Sequence, residues 1–374
     1  MAPTVATSAD TVNYGYPYDA VAERRSNAYN CVMTDKTKRY FVDISPREWE
    51  HPADRAALAA LKKIPGFDDI IRFFVGLTSE KAVRLIFLAS SVRVSEKQFP
   101  RVYHLLEEAC AVLDAREIPE LYITQTPILN AGAVGVQKPF ITINSGLVDS
   151  FSDEELLAVI SHEVGHILSG HVLYKTLLWF LMNATLGLMN LPLGQLAVLA
   201  VVGALKEWDR KSELSADRAG LLVVQNPEVS YTTLMKLAGG RDVDQMNIDE
   251  FFKQAEEYEG SGNLLDGLYK FLNLFGQSHP FPVLRLTEIK RWAESDGYSK
   301  IMNGDFMKRT EAEQEDIRKD FDDAAKQYRE DWGNSKDPLS QAVHNISAGV
   351  DYARKQAESF FRTIIDQNRG DKGE

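Results

Sequence analysis

The chain is poor in cysteine, with only Cys31 and Cys110 among its 374 residues. Two cysteines cannot build a disulfide framework or a cysteine-based zinc site, so a reducing compartment is the expected setting. Positive charge is also scarce, because 42 lysines and arginines face 54 acidic residues and leave a formal net charge of -12. Without a basic cluster to offset that charge, the sequence predicts no nucleic-acid partner.

The N-terminus lacks a basic region followed by an apolar one, so we expect no secretory signal and a cytoplasmic protein. The length and the 44% of hydrophobic residues suffice for one large domain or two modest ones. Composition along the chain predicts three parts: a partly flexible N-terminal segment (1–65), a folded domain (66–300) and a charged helical tail (301–374).

Helical periods dominate the hydrophobic pattern. Arg101–Arg116 is an amphipathic helix by its spacing, and Phe67–Leu88 is apolar enough to predict one or two buried helices. Two short strands are predicted at Leu121–Thr124 and Phe140–Asn144, with a turn of small residues at Asn130–Gly135 between them. The predicted fold class is therefore mainly α with a small β-sheet, an α+β arrangement.

Histidine is scarce as well, at seven residues, yet His162 and His166 fit the pattern H-E-x-x-H. Ser152 and Glu155 have the spacing of a capping box and predict the start of a helix that carries both histidines. Residues i and i+4 lie on one face of a helix, so the two imidazoles can bind one metal ion. Glu163 follows the first histidine and can accept a proton from a water molecule that the metal activates, as in zinc peptidases.

A catalytic zinc site needs a third protein ligand, and two residues are candidates. His171 follows His166 by five positions, which continues the same helical face poorly, so we place it beside the ligands or on the surface. Glu213 lies in a separate predicted helix, Lys206–Val224, and can approach the metal from the side. Asp217, one turn later, can accept a hydrogen bond from a ligand imidazole and fix its tautomer.

Charge is missing altogether from Thr176–Leu205. Pro192 and Gly194 divide this stretch into a predicted hairpin of two helices, each too short for a hydrocarbon core of about 30 Å. Three environments fit the hairpin: burial within the protein or a homo-oligomer interface, insertion into a membrane surface, or a membrane span.

The predicted strand Phe140–Asn144 lies directly before the metal-binding helix. If it forms the sheet edge, its free backbone groups can pair with an extended peptide and lay a scissile bond across the metal. An interior strand fits the same sequence equally well.

Together these residues resemble the gluzincin metallopeptidase family that includes the CAAX prenyl protease and HtpX. The similarity covers about residues 130–285 and rests on the following segments: Asn130–Ala131, Gly146–Leu147, Asp153–Leu156, His162–His166, Glu213 with Asp217, His279–Pro280 and Arg285. The resemblance implies a gluzincin-type fold with one zinc ion per chain, bound by His162, His166 and Glu213. We predict that 66–300, which contains this similar region, is the metallopeptidase domain.

The resemblance further implies that His279 and Arg285 face the active site, where they hold the oxyanion or brace the ligands. For His279, a helix-capping role before Pro280 is the alternative. The membrane members of the family carry spanning helices, whereas this chain has only the hairpin at 176–205. We therefore expect a soluble or peripheral, bacterial-type member, and prenyl-protease specificity does not carry over.

The predicted function is that of a zinc-dependent metalloendopeptidase with Glu163 as general base and a peptide or protein as substrate. Two other functions are compatible with the sequence. One is a catalytically silent scaffold that binds zinc, and the other is an assembly protein that docks on a membrane or on itself through 176–205.

Overall fold

The computed structural model describes residues 38–62, 67, 71, 74–75, 80–188, 194–260, 279 and 281–312. The elements below all belong to the unit Arg39–Glu374, which is distinct from the unit Met1–Lys38. The predicted N-terminal segment falls largely on 1–37 and the predicted charged tail largely on 313–374, both outside the described residues. The division of the chain into three parts therefore stays a prediction.

Helices make up most of the described residues. They are α1 (Pro52–Lys62), α2 (Glu80–Ser90), α3 (Pro100–Val112), α4 (Ser145–Ser150), α5 (Asp153–Leu168), α6 (Val172–Leu188), α7 (Gly194–Val224), α8 (Pro227–Gly239), α9 (Ile248–Gly260), α10 (Pro282–Ala293), α11 (Asp296–Asn303) and α12 (Arg309–Ala312). The strands are β1 (Val92–Arg93), β2 (Leu121–Thr124), β3 (Ala131–Val134) and β4 (Phe140–Asn144). The predicted class, mainly α with a small sheet, is confirmed.

The strands form one sheet in the order β1-β2-β4-β3, with β2 and β4 parallel and both outer pairs antiparallel. β4 is therefore interior, and of the two placements left open for it the sheet edge is wrong. The sheet edge beside α5, the helix predicted to bind metal, is β3, where the sequence predicted only a turn. Pairing with β4 overrides the low strand preference of its glycine and alanines, because backbone hydrogen bonds do not depend on side chains.

Two clusters of buried apolar side chains hold these elements together. The larger cluster packs Ile141 and Ile143, on the inner face of the sheet, against α3, α5 and the C-terminal half of α7. The smaller cluster joins Leu61 of α1, Leu178 of α6 and Trp208 in the N-terminal half of α7. Full burial of one such side chain contributes roughly 1.5–3 kcal/mol, so α7 is anchored from both ends.

α7 runs without interruption for 31 residues. The sequence predicted two separate helices here, the second arm of the hairpin and Lys206–Val224, and that division is wrong. Lys206 and Glu207 are buried and pair with Asp209 and Arg210 of the same helix, and neither residue type breaks a helix. The second arm of the hairpin and Glu213 therefore belong to the same rigid element.

The described part of the uncharged stretch is only partly buried. Leu177, Leu178 and Leu205 lie in the smaller cluster, whereas Trp179 on α6 is 66% exposed. Within the ranges that the structure describes, no single helix is both long and apolar enough to cross a membrane. Two consecutive helical segments, Asp153–Leu168 and Val172–Met182, are together long and apolar enough for a span, but they are bent by 94° relative to each other.

The apolar stretch Phe67–Leu88 does not form only buried helices as predicted. Phe87 of α2 packs on the outer face of the sheet, with its ring centroid 5.0 Å from that of Phe140. The opposite side of α2 is exposed, including Leu85 and Ile86. Hydrophobic content indicates a tendency to be buried, but whether a second layer covers a helix depends on the tertiary fold.

Candidate metal centre

α5 begins at the predicted capping box. The Ser152 hydroxyl accepts from the Glu155 backbone N–H at 3.2 Å, and the Glu155 carboxylate accepts from the Ser152 N–H at 2.9 Å. Lys236 of α8 donates to the same carboxylate at 2.8 Å. Burial raises the pKa of Glu155, but Lys236 and Ser152 outweigh it and hold that pKa below its ordinary value. The start of the metal-binding helix is thus fixed by charge and hydrogen bonds.

Two glycines let α5 and α7 approach closely. A Cβ at Gly165 would lie 2.6 Å from the Cβ of Ala219, and a Cβ at Gly220 would lie 3.2 Å from the Ala158 carbonyl oxygen. Neither position has room for a side chain without a shift of the helices. This close contact brings Glu213 of α7 against the two histidines of α5.

Glu213 lies between the two histidines and is fully buried. Its Oε2 is 3.3 Å from His162 Nε2, and its Oε1 is 3.2 Å from His166 Nε2. With His279, these residues form a group whose ligand atoms all lie within 4.8 Å of one another. Two imidazole nitrogens and a carboxylate oxygen form a donor set that suits zinc. His162 Nε2 is buried and, although it is 3.3 Å from Glu213 Oε2, it is not aligned for a hydrogen bond, so it fits the role of a metal ligand.

Asp217 sets the orientation of His162. Its Oδ1 lies 3.0 Å from His162 Nδ1, so Nδ1 donates to the carboxylate and Nε2 points into the group. Burial lowers the pKa of His162, but Asp217 and Glu213 outweigh it and raise that pKa to about 9.

Arg285 of α10 binds both carboxylates of α7. Its Nε donates to Asp217 Oδ2 at 2.8 Å, and its Nη1 lies 3.1 Å from Glu213 Oε2. Burial raises the pKa of Asp217, but Arg285 and His162 outweigh it and hold that pKa below its ordinary value. The planar guanidinium thus fixes the two carboxylates relative to each other.

Lys175 contacts Glu213, and the sequence did not predict it as part of the site. Its Nζ lies 2.6 Å from Glu213 Oε1 and 2.7 Å from Asp209 Oδ1. Burial raises the pKa of Glu213, but His279, Lys175 and Arg285 outweigh it and hold that pKa well below its ordinary value. A signal was present in the sequence, because Lys175 is the last charged residue before a long uncharged stretch and a buried lysine requires a carboxylate partner.

His279 lies beside Glu163, the predicted base. Its Nε2 is 3.6 Å from Glu163 Oε1 and 2.8 Å from the Ala131 carbonyl oxygen of β3, while its Nδ1 is 2.7 Å from Glu213 Oε2. α10 has no side-chain cap at its N-terminus, Phe281, so the capping alternative for His279 does not match its contacts. Glu163 Oε2 is buried and has no hydrogen-bond partner.

His171 lies behind His166, outside the group of ligand atoms. Its side chain is 1% exposed and its Nδ1 is 3.0 Å from His166 Nδ1. Of the two positions expected for it, beside the ligands or on the surface, the first is found.

The fold and the site define a class of protein: a mainly helical α+β chain with a buried His/Glu group, suited to a metal ion, on two packed helices. Residues 96–293 match the sequence model of Peptidase family M48. The chain belongs to this family, which is a family of metallopeptidases, and the gluzincin resemblance is thereby confirmed.

Several relatives support this assignment. Plastoglobule-localized metallopeptidase 48, chloroplastic, of Arabidopsis thaliana is 35% identical over 268 residues, which cover 70% of this chain and 77% of that protein. Protease HtpX of Legionella pneumophila (strain Lens) is 26% identical over 219 residues, 50% of this chain and 75% of that protein. Protease HtpX homolog 2 of Methanosarcina mazei is 27% identical over 173 residues, 40% of this chain and 58% of that protein. No solved structure matches the chain.

Proposed function

We propose that this metallopeptidase is a zinc-dependent endopeptidase. The observation that carries the proposal is the group formed by His162, His166 and Glu213, with the unpartnered His162 Nε2 facing Glu213 and Glu163 close by. In this proposal the two Nε2 atoms and the Glu213 carboxylate bind one zinc ion per chain. Zinc, when bound, would polarise a substrate carbonyl. It would also lower the pKa of water toward neutrality, so that water becomes a nucleophile near pH 7.

Glu163 is proposed as the general base. Its Oε2 has no hydrogen-bond partner, which leaves that oxygen able to accept a proton from the attacking water. The same carboxyl group then passes the proton to the leaving amine. Burial of Glu163 supports this role, because bulk water is excluded from the path between the carboxyl group and the leaving amine.

His279 and Arg285 are proposed to have different roles. His279 is partly exposed, and its Nε2 lies 3.6 Å from Glu163 Oε1 and 2.8 Å from the Ala131 carbonyl oxygen. In the proposed oxyanion role, the Nε2–H leaves the Ala131 carbonyl oxygen and donates to the developing oxyanion. Arg285 is buried, and its guanidinium is occupied by Glu213 and Asp217. These contacts support the bracing role for Arg285. Asp217 is proposed to hold His162 in the tautomer that presents Nε2.

The free edge of β3 is the proposed binding surface for an extended peptide. The Asn144 N–H donates to the Asn130 carbonyl, so alternate residues of β3 point their backbone groups away from β4. The outward carbonyl of Ala131 accepts from His279 Nε2. The carbonyl of Gly135, directly after β3, lies 3.1 Å from the Thr176 hydroxyl. Ala133 lies between them, and its N–H and C=O are proposed to pair with the substrate backbone.

The hairpin at 176–205 is proposed as the contact with a lipid surface or a second copy of the chain. Exposed Trp179 supports this proposal, since tryptophan favours the interface between water and apolar groups. The name of the Arabidopsis relative places that protein at plastoglobules. For this chain we propose a cytoplasmic enzyme that associates with membranes. Co-sedimentation with lipid vesicles, reduced in Trp179→Ser, would support it, and equal sedimentation of both proteins would refute the role of Trp179.

Metal analysis and peptide cleavage on three proteins test the proposed enzyme. Wild type should hold about one zinc per chain and cleave an unfolded protein substrate. Glu213→Ala should lose zinc, and Glu163→Gln should keep zinc but lose cleavage. Zinc without cleavage in wild type would favour the silent scaffold, and no zinc even after addition would favour the assembly protein.

A further inference from the structure

His171 connects a proposed metal ligand to helix α1. Its Nδ1 is 3.0 Å from His166 Nδ1, and its Nε2 is 3.0 Å from Asp54 Oδ2. Both His171 and Asp54 are buried. The three side chains form a line of hydrogen bonds that begins at a ligand imidazole and ends at a carboxylate.

Metal binding allows a single arrangement of protons along this line. His166 must present Nε2 without a proton, so its proton lies on Nδ1. That N–H donates to His171 Nδ1, which must then lack a proton. The remaining ring proton of His171 lies on Nε2 and donates to Asp54. Any other tautomer of His171 would set two N–H groups against each other.

Asp54 is fixed as an acceptor by its other contacts. Trp208 Nε1 donates to Asp54 Oδ1 at 2.9 Å, and the Ser215 hydroxyl donates to Oδ2 at 2.6 Å. Burial raises the pKa of Asp54, but His171, Ser215 and Trp208 outweigh it and hold that pKa below its ordinary value. Trp208 and Ser215 belong to α7, the helix that carries Glu213. The same helix therefore positions the Asp54 carboxylate and supplies the proposed third ligand.

The two proposed ligand histidines are thus oriented in parallel ways. His162 Nδ1 contacts Asp217 directly, whereas His166 Nδ1 reaches Asp54 through His171. We propose that His171 and Asp54 are positioning residues that hold His166 in the tautomer and orientation required for metal binding. This inference rests on the proposed zinc site. Asp54 lies outside residues 96–293, so α1 adds a part of the site that the family match does not cover.

The test is a double-mutant cycle on the full chain with zinc affinity as readout. His171→Phe removes the acceptor for His166 Nδ1 and keeps a ring of similar size, while Asp54→Asn removes the charge and cannot accept from all three donors. Each variant should weaken zinc binding about 10–100-fold in a competition titration with a chromophoric chelator. Because Asp54 acts through His171, the double variant should bind zinc no more weakly than His171→Phe alone.

A conservative variant and a matched control separate positioning from folding. His171→Gln offers an amide oxygen to His166 Nδ1 and should recover at least part of the affinity. Its visible absorption spectrum with bound Co²⁺ should lie nearer to wild type than that of His171→Phe. Leu61→Ala removes a buried side chain from the same helix as Asp54 and should lower the melting temperature without a change in zinc affinity.

Zinc affinities within twofold of wild type in both single variants would overturn the inference and leave the proposed zinc site intact. Additive losses in the double variant would also overturn it, because Asp54 would then act independently of His171. Failure of wild type to bind zinc would overturn the proposed function itself, and this inference with it.

Discussion

Lys175 Nζ lies 2.6 Å from Glu213 Oε1, so an ammonium group is held against the carboxylate proposed as third metal ligand. The same ammonium group also binds Asp209 at 2.7 Å, and both carboxylates are buried. Helix α6, the first arm of the uncharged hairpin, is thereby connected to the candidate metal centre by an ion pair.

Lys175→Met should destabilise the zinc-free protein by about 3–5 kcal/mol, because it leaves two buried carboxylates without a common partner. Zinc brings positive charge to Glu213 and should compensate part of this loss. The increase in melting temperature on addition of zinc should therefore be larger in the variant than in wild type. An equal or smaller increase would contradict this account, and Lys175→Met/Asp209→Asn should recover part of the zinc-free stability.

Arg285→Lys should lower zinc affinity about tenfold, because an ammonium group cannot bind Glu213 and Asp217 together as the guanidinium does. Chelator competition gives the affinity, and kcat at saturating zinc gives the remaining activity. A loss of kcat with unchanged zinc affinity would instead indicate an oxyanion role. Arg291→Lys, on the same helix but in an exposed pair with Glu288, is the control that should change neither quantity.

Gly165→Ala should destabilise the protein by about 1–3 kcal/mol, since the new Cβ would overlap the Cβ of Ala219 and push α5 away from α7. Zinc affinity should fall in parallel, because the histidines and Glu213 lie on the separated helices. Gly165→Ala/Ala219→Gly should restore both. The same change at Gly297 in α11, where a Cβ meets only ordinary contacts, should be harmless; a comparable loss there would refute the close-packing explanation.

Glu155→Gln should lower the free energy of unfolding by about 1 kcal/mol at pH 7. The glutamine can still cap the helix, but it no longer offers a negative charge to Lys236. The pKa of Glu155 in the folded protein lies below the ordinary value of 4.5, so its charge contributes stability above that pH. The contribution is lost as pH falls through the lower folded-state pKa.

Urea titrations of wild type and Glu155→Gln, from pH 7 down to strong acid, measure the difference in their free energies of unfolding directly. The two proteins should differ at pH 7 and converge in strong acid. Glu154→Gln, in the exposed part of the same helical turn, serves as control and should show little difference at either pH. A gap between wild type and Glu155→Gln that widened in acid would contradict the sign of the shift.

Ala133→Pro should raise KM for peptide substrates about tenfold with the fold intact. Proline removes the N–H that points away from β4, and the ladder to β4 does not use that group. Gly132→Pro removes an N–H directed at β4 and should instead destabilise the sheet. Circular dichroism and steady-state kinetics distinguish the two effects, and an unchanged KM in Ala133→Pro would exclude β3 as the peptide-binding edge.

The local parts of the site could be predicted from the sequence. The capping box, the helix and the positions of His162, Glu163 and His166 depend on spacings of three and four residues, which a helix converts directly into shared faces. Glu213 was a candidate because it lies in a separate predicted helix downstream of the histidines, and the resemblance then implied its role as a ligand. No local spacing rule identifies it, because it lies 47 residues after His166.

Only the tertiary structure decided which elements meet. Lys175 contacts Glu213 and Asp54 contacts His171 from neighbouring helices, and the exposed side of α2 depends on what packs above it. The tertiary structure also decided which strand forms the edge of the sheet, because strand order depends on which backbones pair and not on side-chain pattern. The sequence by itself determined the chemical groups and the helix that presents two of them. The packing of α5 against α7, permitted by Gly165 and Gly220, determined that those groups share one buried site.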